Sequence, residues 1–419
     1  MFNISEKIKA LSEHATSLCK SEFETIDKMT EFNQQKVLKA FIDNEVSERH
    51  FVSSTGYGYG DVGRDTLDKV FAQIFGAEDS LVRHNFVCGT HALAVALFGV
   101  LRPGDTLLSV TGTPYDTLLG VIGAKKKSSG SLAEFGIKYQ EITLTSDGLL
   151  DFKAIEKATA PDTKVVYMQR SRGYSLRPSL SVNDIKKVAR IAKKIAPNCI
   201  VMLDNCYGEF VGYDEPLQNG VDLIAGSLIK NPGGGIAPTG GYIAGKKDLV
   251  EMCSYRLTTP STGREVGATL GMNRELFMGL FNAPHVTGEA LKTAVFAAAL
   301  FELLGYNVSP RYNEPRTDII QALTLGNSQD LVAFCHGIQS GAPVDSFLKP
   351  EPWDMPGYDA QVIMAAGAFT LGSSIELSAD APLREPFAVF MQGGLNFHST
   401  KIGIMLAADK MLSKKSSFA

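Results

Sequence analysis

The sequence predicts an α/β fold with a mostly parallel central sheet, helices on both faces and a smaller C-terminal α+β domain. The first observation is a set of short runs rich in β-branched and other apolar residues, at 106–110, 165–168, 200–203, 223–225 and 242–244. The second is that helical patterns, such as those at 91–101 and 182–195, alternate with these runs. Uniformly apolar strands that alternate with helices are typical of parallel sheets, because such sheets are buried on both faces.

The remaining elements complete this prediction. Apolar residues at helical spacing predict helices within residues 1–50 and from about 65 to 77. A long helix over 288–304 is predicted to end at Gly305, since glycine favours the left-handed conformation that follows many helix C-termini. The smaller domain is predicted from three short strands, at 332–335, 375–377 and 388–391, and from a closing helix near 399–412.

Composition and charge exclude several classes of protein. The 419 residues are 44% hydrophobic and 21% charged with a formal net charge of −4, which is ordinary for a soluble globular protein and does not indicate a nucleic-acid partner. The basic triplet Lys125–Lys127 is interpreted as a solvated loop. No apolar stretch is long enough to span a membrane, and the N-terminus lacks the apolar segment of a signal peptide.

Cysteine usage predicts a cytoplasmic location and no metal site. The six cysteines are scattered along the chain without a CxxC motif, which argues against a disulfide framework and against structural zinc. Cys335 and His336 are the only Cys–His neighbours, and adjacent residues on one element normally point apart. We therefore expect reduced thiols and no bound metal.

A glycine-rich segment matches a dinucleotide-binding motif in the wrong context. Residues 58–63 fit the pattern GxGxxG. That motif requires a strand directly before it, so that a pyrophosphate meets the N-terminus of the following helix. The preceding residues 53–56 read as a polar loop, so we interpret these glycines as part of a flexible loop.

Asp204 and Lys230 are the most informative residues. Asp204 directly follows the apolar run 199–203, and Lys230 follows the next predicted strand. Both are expected at the carboxyl edge of the sheet, where parallel-sheet enzymes bind ligands. A carboxylate and an amine there suit pyridoxal 5′-phosphate (PLP), because the carboxylate keeps the pyridine nitrogen protonated and the lysine forms an imine with the aldehyde.

The phosphate of such a cofactor needs hydrogen-bond donors. Gly89, Thr90 and His91 open a predicted helix, whose free N–H groups and positive dipole end would bind phosphate. Ser227, three residues before the lysine, would add a hydroxyl. Tyr115 lies just past the next strand, where its ring would stack on the cofactor.

The order of these residues resembles that of fold type I PLP enzymes, and residues 201–205 resemble the V-D-N segment of the Cys/Met metabolism superfamily. More closely, the chain resembles the methionine gamma-lyase-like family known as aluminium resistance proteins or cystathionine beta-lyases. The matching segments span most of the chain, at 56–61, 63–67, 169–175, 230–235, 238–241, 384–386 and 392–394.

The resemblance implies a fold type I PLP-dependent transferase-like architecture in three parts. Residues 1–64 would form N-terminal helices and a subunit-crossing loop, 65–300 the PLP-binding large domain, and 301–419 the small domain. In these lyases a Tyr-x-Arg loop reaches the phosphate of a neighbouring subunit, and Tyr57 falls on the tyrosine. This implies a homodimer or homotetramer with shared active sites. Tyr59 stands where the arginine would be, and Arg64 is a candidate replacement.

The resemblance also implies residues that bind the substrate. Arg384 is placed like the arginine that holds the substrate carboxylate as a bidentate fork. Residues 169–172 occupy the region that contacts the cofactor ring hydroxyl and the carboxylate, which makes Ser171 and Arg172 candidates.

We therefore expect a PLP-dependent lyase that breaks a C–S bond of a small sulfur-containing amino acid, of cystathionine beta-lyase or methionine gamma-lyase type. Lys230 would take the Cα proton, Asp204 would keep the ring protonated, and Tyr115 would donate a proton to the leaving thiolate. Another PLP-dependent reaction, of aminotransferase or aldolase type, remains an alternative. A PLP-free dinucleotide-binding protein is the alternative from a different class.

Overall fold

A computed structural model describes residues 1–124, 128–355 and 360–416. The basic triplet Lys125–Lys127 lies outside the described residues. The helices are α1 (Glu6–Leu18), α2 (Lys20–Asp43), α3 (Val62–Phe75), α4 (Gly89–Val100), α5 (Asp116–Ile122), α6 (Phe152–Ala158), α7 (Val182–Ile195), α8 (Lys247–Leu257), α9 (Asn273–Leu303), α10 (Ser328–Ser340) and α11 (Phe397–Ser416). The strands are β1 (Asp79–Arg83), β2 (Thr106–Ser109), β3 (Lys138–Glu141), β4 (Thr163–Gln169), β5 (Ile200–Asp204), β6 (Leu223–Ser227), β7 (Gly241–Gly245), β8 (Asn307–Ser309), β9 (Gln321–Thr324), β10 (Val362–Ala366), β11 (Ser378–Pro382) and β12 (Ala388–Gln392).

The strands form two sheets. The larger sheet has the order β1-β7-β6-β5-β4-β2-β3. Strands β6, β5, β4, β2 and β3 are parallel, whereas β7 runs antiparallel to both β6 and β1. The smaller sheet has the order β10-β11-β12-β9-β8 and is antiparallel throughout. The predicted α/β class, with a mostly parallel sheet and a smaller C-terminal α+β domain, is confirmed.

The central strands are apolar because both of their faces are buried. Val166 of β4 packs in a core with helices α3 and α7, while its neighbour Val165 packs in a core with α4 and α8 on the opposite face. Val201 and Ile200 of β5 likewise pack into the two cores on opposite faces of the sheet. Successive side chains of a strand point to opposite faces, so helices on both sides require an uninterrupted apolar run.

Local signals set several helix ends where the sequence predicted them. Helix α7 begins with a capping box, in which the Ser181 hydroxyl accepts from the Asp184 N–H and the Asp184 carboxylate accepts from the Ser181 N–H. Helix α9 is longer than predicted, since it begins at Asn273 and continues through Pro284, and Gly305 follows it with a φ of 85°. The predicted domain boundaries at 64 and 300 stay a prediction.

Two strands predicted in the smaller domain are wrong. Residues 332–335 lie inside helix α10, because Leu331, Phe334, Cys335 and Ile338 form a buried stripe at helical spacing rather than an alternating strand pattern. Residues 375–377 form an irregular turn before β11. There the Glu376 carboxylate accepts from the backbone N–H groups of residues 369 and 370.

The N-terminal glycine motif occurs in the predicted loop context. No strand lies between residues 44 and 61, and Asp61 caps helix α3 by accepting from the Arg64 N–H. The segment therefore lacks the strand that a dinucleotide fingerprint requires. Across the described residues, no helix combines the length and apolar character needed to cross a membrane.

Candidate active site

A cleft lies between the carboxyl edge of the large sheet and one face of the small sheet. Asp204 ends β5 and pairs in register with Gln169, which ends β4. Lys230 follows β6 in the adjacent loop. The lining residues are Gly89, Thr90, Leu93, Tyr115, Gln169, Ser171, Gly173, Tyr174, Asp204, Cys206, Tyr207, Lys230, Ile320, Asp380, Phe390 and Gln392. The structure thus brings Lys230 and Asp204 into one cavity, as one crossover between neighbouring parallel strands requires.

Lys230 contacts the aromatic ring of Tyr207 and lies near acidic groups. Its Nζ lies 4.1 Å from the centroid of the Tyr207 ring, a cation–π distance. Tyr207 adopts a φ of 70°, which is unusual for a residue with a side chain, and its hydroxyl donates to Ser374 Oγ at 2.8 Å. Burial lowers the pKa of Lys230, but nearby acidic groups, Asp204 and Glu209 among them, outweigh it, so the net direction is upward.

Asp204 is buried and oriented by its own loop. Its Oδ1 accepts the backbone N–H of Cys206 at 3.1 Å. Burial raises the pKa of the Cys206 thiol well above its ordinary value, and Asp204 adds to the rise through charge and a hydrogen bond. Cys206 is accordingly a neutral thiol beside the carboxylate.

Helix α4 presents its N-terminus to the cleft through Gly89 and Thr90. The first N–H groups of a helix have no partner within the helix, and the dipole favours an anion there. A Cβ at Gly89 would lie 3.3 Å from Ser227 Cβ, so Ser227 sits directly beside this helix start. The Thr90 hydroxyl is 2.7 Å from that of Thr117 on α5.

His91 departs from its predicted place. Its backbone N–H donates to Cys88 Sγ at 3.4 Å, and its Nδ1 accepts from the Val87 N–H at 3.1 Å. Its side chain does not line the cleft. His91 thus stabilises the start of α4 from outside the cleft, and of the three predicted residues Gly89 and Thr90 are the ones that line it.

Tyr115 and Ser171 do reach the cleft. The Tyr115 N–H donates to Gln169 Oε1 at 2.7 Å, and Gln169 Nε2 donates to the Ser171 carbonyl at 3.0 Å. The Tyr115 ring meets the Tyr174 ring edge-on at 5.8 Å. Gln169 therefore ties the predicted Tyr115 to the strand end that precedes Ser171.

A side chamber adjoins the cleft and shares Tyr115, Gln169, Gly173 and Tyr174 with it. Arg172 and Arg384 line this chamber rather than the cleft itself. Arg172 is buried, and its Nη1 donates to the Ser309 carbonyl at 2.9 Å and to the Ser309 hydroxyl at 3.1 Å. Arg384 is exposed. Of the two predicted arginines, Arg384 is the one with a side chain open to solvent.

Tyr57 lies outside the cleft of its own chain. Its side chain is 74% exposed, and its ring lies 5.6 Å from that of Tyr59. Arg64 is only 2% exposed, and its Nη1 donates to the carbonyls of Gly58 and Gly267 at 2.8 and 3.0 Å. Arg64 therefore anchors the Tyr57 loop within its own chain, and its role as a replacement for the missing arginine stays a prediction.

The small sheet supplies residues that the sequence interpretation missed. Asp380 of β11 and Gln392 and Phe390 of β12 line the cleft. Gln392 Nε2 donates to Asp380 Oδ2 at 3.0 Å. Burial raises the pKa of Asp380, against the lowering effect of hydrogen bonds from Gln392 and Tyr174 and of the Lys230 charge. The sequence feature that could have indicated Asp380 is an aspartate within the run of small residues at 378–382.

A second buried set of polar residues lies behind the cleft. Arg170 Nη1 donates to Asn205 Oδ1 at 2.8 Å, and Asn231 Nδ2 donates to the Glu209 carbonyl at 2.9 Å. The Tyr242 hydroxyl donates to Glu209 Oε1 at 2.6 Å. Burial raises the pKa of Glu209 to about 8. This buried network holds the residues that directly follow Asp204 and Lys230 along the chain.

The donor set fits PLP. It combines a helix N-terminus for a phosphate, a buried carboxylate for a pyridine nitrogen and a buried lysine for an aldehyde, all in one cavity. Within the described part of the chain, no group of three or more His, Cys, Asp or Glu residues is placed to hold a metal ion.

Comparisons with known proteins agree with this arrangement. The family model described as methionine gamma-lyase matches residues 8–412. The uncharacterized protein YnbB of Bacillus subtilis is 49% identical over 391 residues, covering 93% of each chain. A structure described as a carbon-sulfur lyase involved in aluminum resistance, from Clostridium novyi, is 52% identical with a TM-score of 0.93, covering 97% of this chain and 96% of that one.

A more distant structure shares the fold. A candidate O-acetylhomoserine (thiol)-lyase from Campylobacter jejuni is 16% identical with a TM-score of 0.55, covering 81% of this chain and 85% of that one. That structure carries an N′-pyridoxyl-lysine-5′-monophosphate. Because the methionine gamma-lyase model matches nearly the whole chain, this protein belongs to the methionine gamma-lyase family.

Proposed function

We propose that this protein is a PLP-dependent carbon–sulfur lyase that acts on a sulfur-containing amino acid, of cystathionine beta-lyase or methionine gamma-lyase type. The observation that carries the proposal is the position of Lys230 and Asp204 in one buried cleft beside the N-terminus of α4. Membership of the family and the name of the Clostridium novyi neighbour support carbon–sulfur bond cleavage in particular.

Different residues of the cleft would bind different parts of the cofactor. Gly89 and Thr90, with Ser227 beside them, would bind the phosphate, Asp204 would hold the pyridine nitrogen protonated, and Lys230 would bond to the aldehyde carbon. When bound, the cofactor supplies an electron sink for the pair left at the substrate Cα.

The proton transfers belong to the chain itself. Lys230, once released by the substrate amine, would take the Cα proton, after which a thiolate could leave from Cβ. Departure of a thiolate from Cγ would require a second proton to be taken from Cβ. Tyr115 lines the same cleft and would donate a proton to that thiolate. Arg384 would attract the substrate carboxylate from the adjoining chamber.

We also propose that two chains complete each site. The Tyr57 side chain is exposed and does not line the cleft of its own chain, so it is available to a partner. A homodimer, or a pair of such dimers, would place Tyr57 at the phosphate end of the neighbouring cleft. Six unpaired cysteines support a cytoplasmic location for the assembly.

A screen of sulfur amino acids tests the proposed reaction. Purified protein loaded with PLP is given L-cystathionine, L-methionine, L-cysteine and L-homocysteine, and 2-oxo acid, ammonia and thiol are measured together. Equal release of all three products supports a lyase. Consumption of an added 2-oxo acid acceptor with no free ammonia would instead indicate transamination, and release of an aldehyde from L-threonine, a β-hydroxy amino acid, would indicate aldol cleavage.

A further inference from the structure

Asp380 is a carboxyl group that the proposed cofactor does not need. It lies in the middle of the small sheet, in register with Phe390 of β12 and Met364 of β10. Its side chain is 8% exposed and lines the cleft together with Lys230. The pyridine nitrogen already has Asp204 as its partner in the proposed function, so Asp380 is a second buried carboxyl group in one small cavity.

The partners of Asp380 are neutral. Gln392 Nε2 donates to Asp380 Oδ2 and to the Ser378 hydroxyl, each at 3.0 Å, and the Tyr174 hydroxyl contributes a further hydrogen bond. Among the described residues no arginine or lysine forms an ion pair with Asp380. Lys230 is near enough for its charge to lower the pKa of Asp380. The surrounding surface includes the apolar side chains of Ile320 and Phe390.

A buried carboxylate is costly unless a cation pairs with it. Lys230 is committed to the cofactor in the proposed function, so a cation that would hold the Asp380 carboxyl group ionised would come from the ligand. A ligand ammonium group would satisfy the remaining acceptor capacity of Asp380 with a charge-assisted hydrogen bond. An alkyl group would leave that capacity unmet, and an anionic group would be repelled.

We propose that Asp380 sets side-chain specificity by pairing with an ammonium group at the far end of the substrate side chain. The proposal rests on the proposed lyase function and narrows its substrate class. The preferred substrates are sulfur amino acids whose sulfur carries an aminoalkyl group. Substrates whose sulfur carries a plain alkyl group, such as the methyl of methionine, are disfavoured.

Two cysteine derivatives of equal side-chain length test this preference. S-(2-aminoethyl)-L-cysteine ends in an ammonium group, and S-propyl-L-cysteine ends in a methyl group. The wild-type protein loaded with PLP is expected to favour the aminoethyl compound in kcat/KM by roughly 10- to 100-fold, the range of a hydrogen bond to a charged group. In Asp380→Asn, which keeps the side-chain volume, the ratio is expected to fall close to one.

Ser378→Ala is the matched control. Ser378 lies on the same strand and accepts from the same Gln392 amide, but it does not line the cleft. This variant is expected to keep the wild-type ratio. If Ser378→Ala and Asp380→Asn lose the preference equally, the preference comes from the Gln392 arrangement, and the assignment to Asp380 is overturned.

A binding measurement separates this inference from the proposed function. L-Lysine and L-2-aminoheptanoate have no sulfur and match each other in length, so calorimetry with them reports recognition without elimination. Wild-type protein is expected to bind L-lysine more tightly, and Asp380→Asn is expected to lose the difference. If no sulfur amino acid is cleaved but this selectivity is found, the lyase assignment fails and the role of Asp380 stands. Equal binding of both ligands by the wild type, or an equal loss of both in Asp380→Asn, would overturn the inference.

Discussion

The two walls of the cleft differ in how they are built. The large-sheet wall consists of strand ends and the start of α4, so Asp204, Lys230 and Gly89 each sit at a junction between elements. The small-sheet wall consists of the middle of two antiparallel strands, where Asp380 and Phe390 pair in register. Chemistry at the first wall follows from where parallel strands end, whereas chemistry at the second depends on which face of an antiparallel sheet is turned toward the cleft.

Because the two walls differ in this way, we expect them to have different functions. The large-sheet wall carries the groups that we propose for holding the cofactor, and its buried network fixes the segments that carry them. The small-sheet wall carries Asp380, a buried carboxyl group to which the proposed function gives no role toward the cofactor. We therefore expect changes at the first wall to abolish chemistry and changes at the second to alter the choice of substrate.

Asp204→Asn is expected to have the largest effect. The neutral amide keeps the shape of the side chain but no longer holds the ring nitrogen protonated, so turnover should fall by roughly 100- to 1,000-fold while the cofactor stays bound. Steady-state kinetics and the cofactor content of the purified variant measure the two quantities. Turnover near the wild-type value would show that Asp204 is not the partner of the pyridine nitrogen.

Tyr57 tests whether the large-sheet wall is completed by another chain. Lys230→Ala and Tyr57→Ala chains are each expected to be inactive, but subunit exchange between them should restore activity, because one site of a mixed dimer keeps Lys230 and receives an intact Tyr57. Mixing Lys230→Ala with Asp204→Asn chains is the matched control and should restore nothing, since both residues belong to the same chain's cleft. Proven exchange without recovered activity would contradict a shared site.

Glu209→Gln is expected to have the smallest effect, visible in the pH dependence of stability. Burial raises the pKa of Glu209 from an ordinary value of 4.5 to about 8, so the folded state binds this proton more tightly than the unfolded state. The resulting stabilisation is fully present below 4.5 and is lost as the pH rises through about 8. The wild type should therefore lose stability relative to Glu209→Gln across this range.

Denaturant unfolding of both proteins at several pH values measures that difference. Glu156→Gln is a suitable control, because Glu156 is exposed on α6. A difference between wild type and Glu209→Gln that does not change with pH would show that Glu209 titrates normally in the folded protein.

The parts of the site that follow from local sequence could be predicted. Asp204 ends an apolar strand, Lys230 lies in the loop after the next strand, and Gly89 and Thr90 begin a helix after a break. The wrong predictions come from short segments whose neighbours decide their structure. The apolar residues at 332–335 are compatible with a strand until Leu331 and Ile338 extend them into a helical stripe.

The small-sheet wall could not be predicted because its contacts are distant in sequence. Asp380 meets the strand that carries Gln392 and the loop that carries Tyr174, and only the assembled sheet brings them to Lys230. The place of His91 depends on a further local detail, since the Cys88 Sγ accepts its backbone N–H. Neither fact has a sequence pattern of its own.

We propose that Lys230 is the residue that bonds to the cofactor, and chemical trapping of that bond identifies the lysine involved. Wild-type protein incubated with PLP is reduced with borohydride, digested and analysed by mass spectrometry to locate the modified lysine. We predict a single phosphopyridoxyl group on Lys230, and no stable modification in Lys230→Ala chains that retain the wild-type far-ultraviolet circular dichroism. Modification of a different lysine in the wild type, or undiminished modification of Lys230→Ala, would contradict the account.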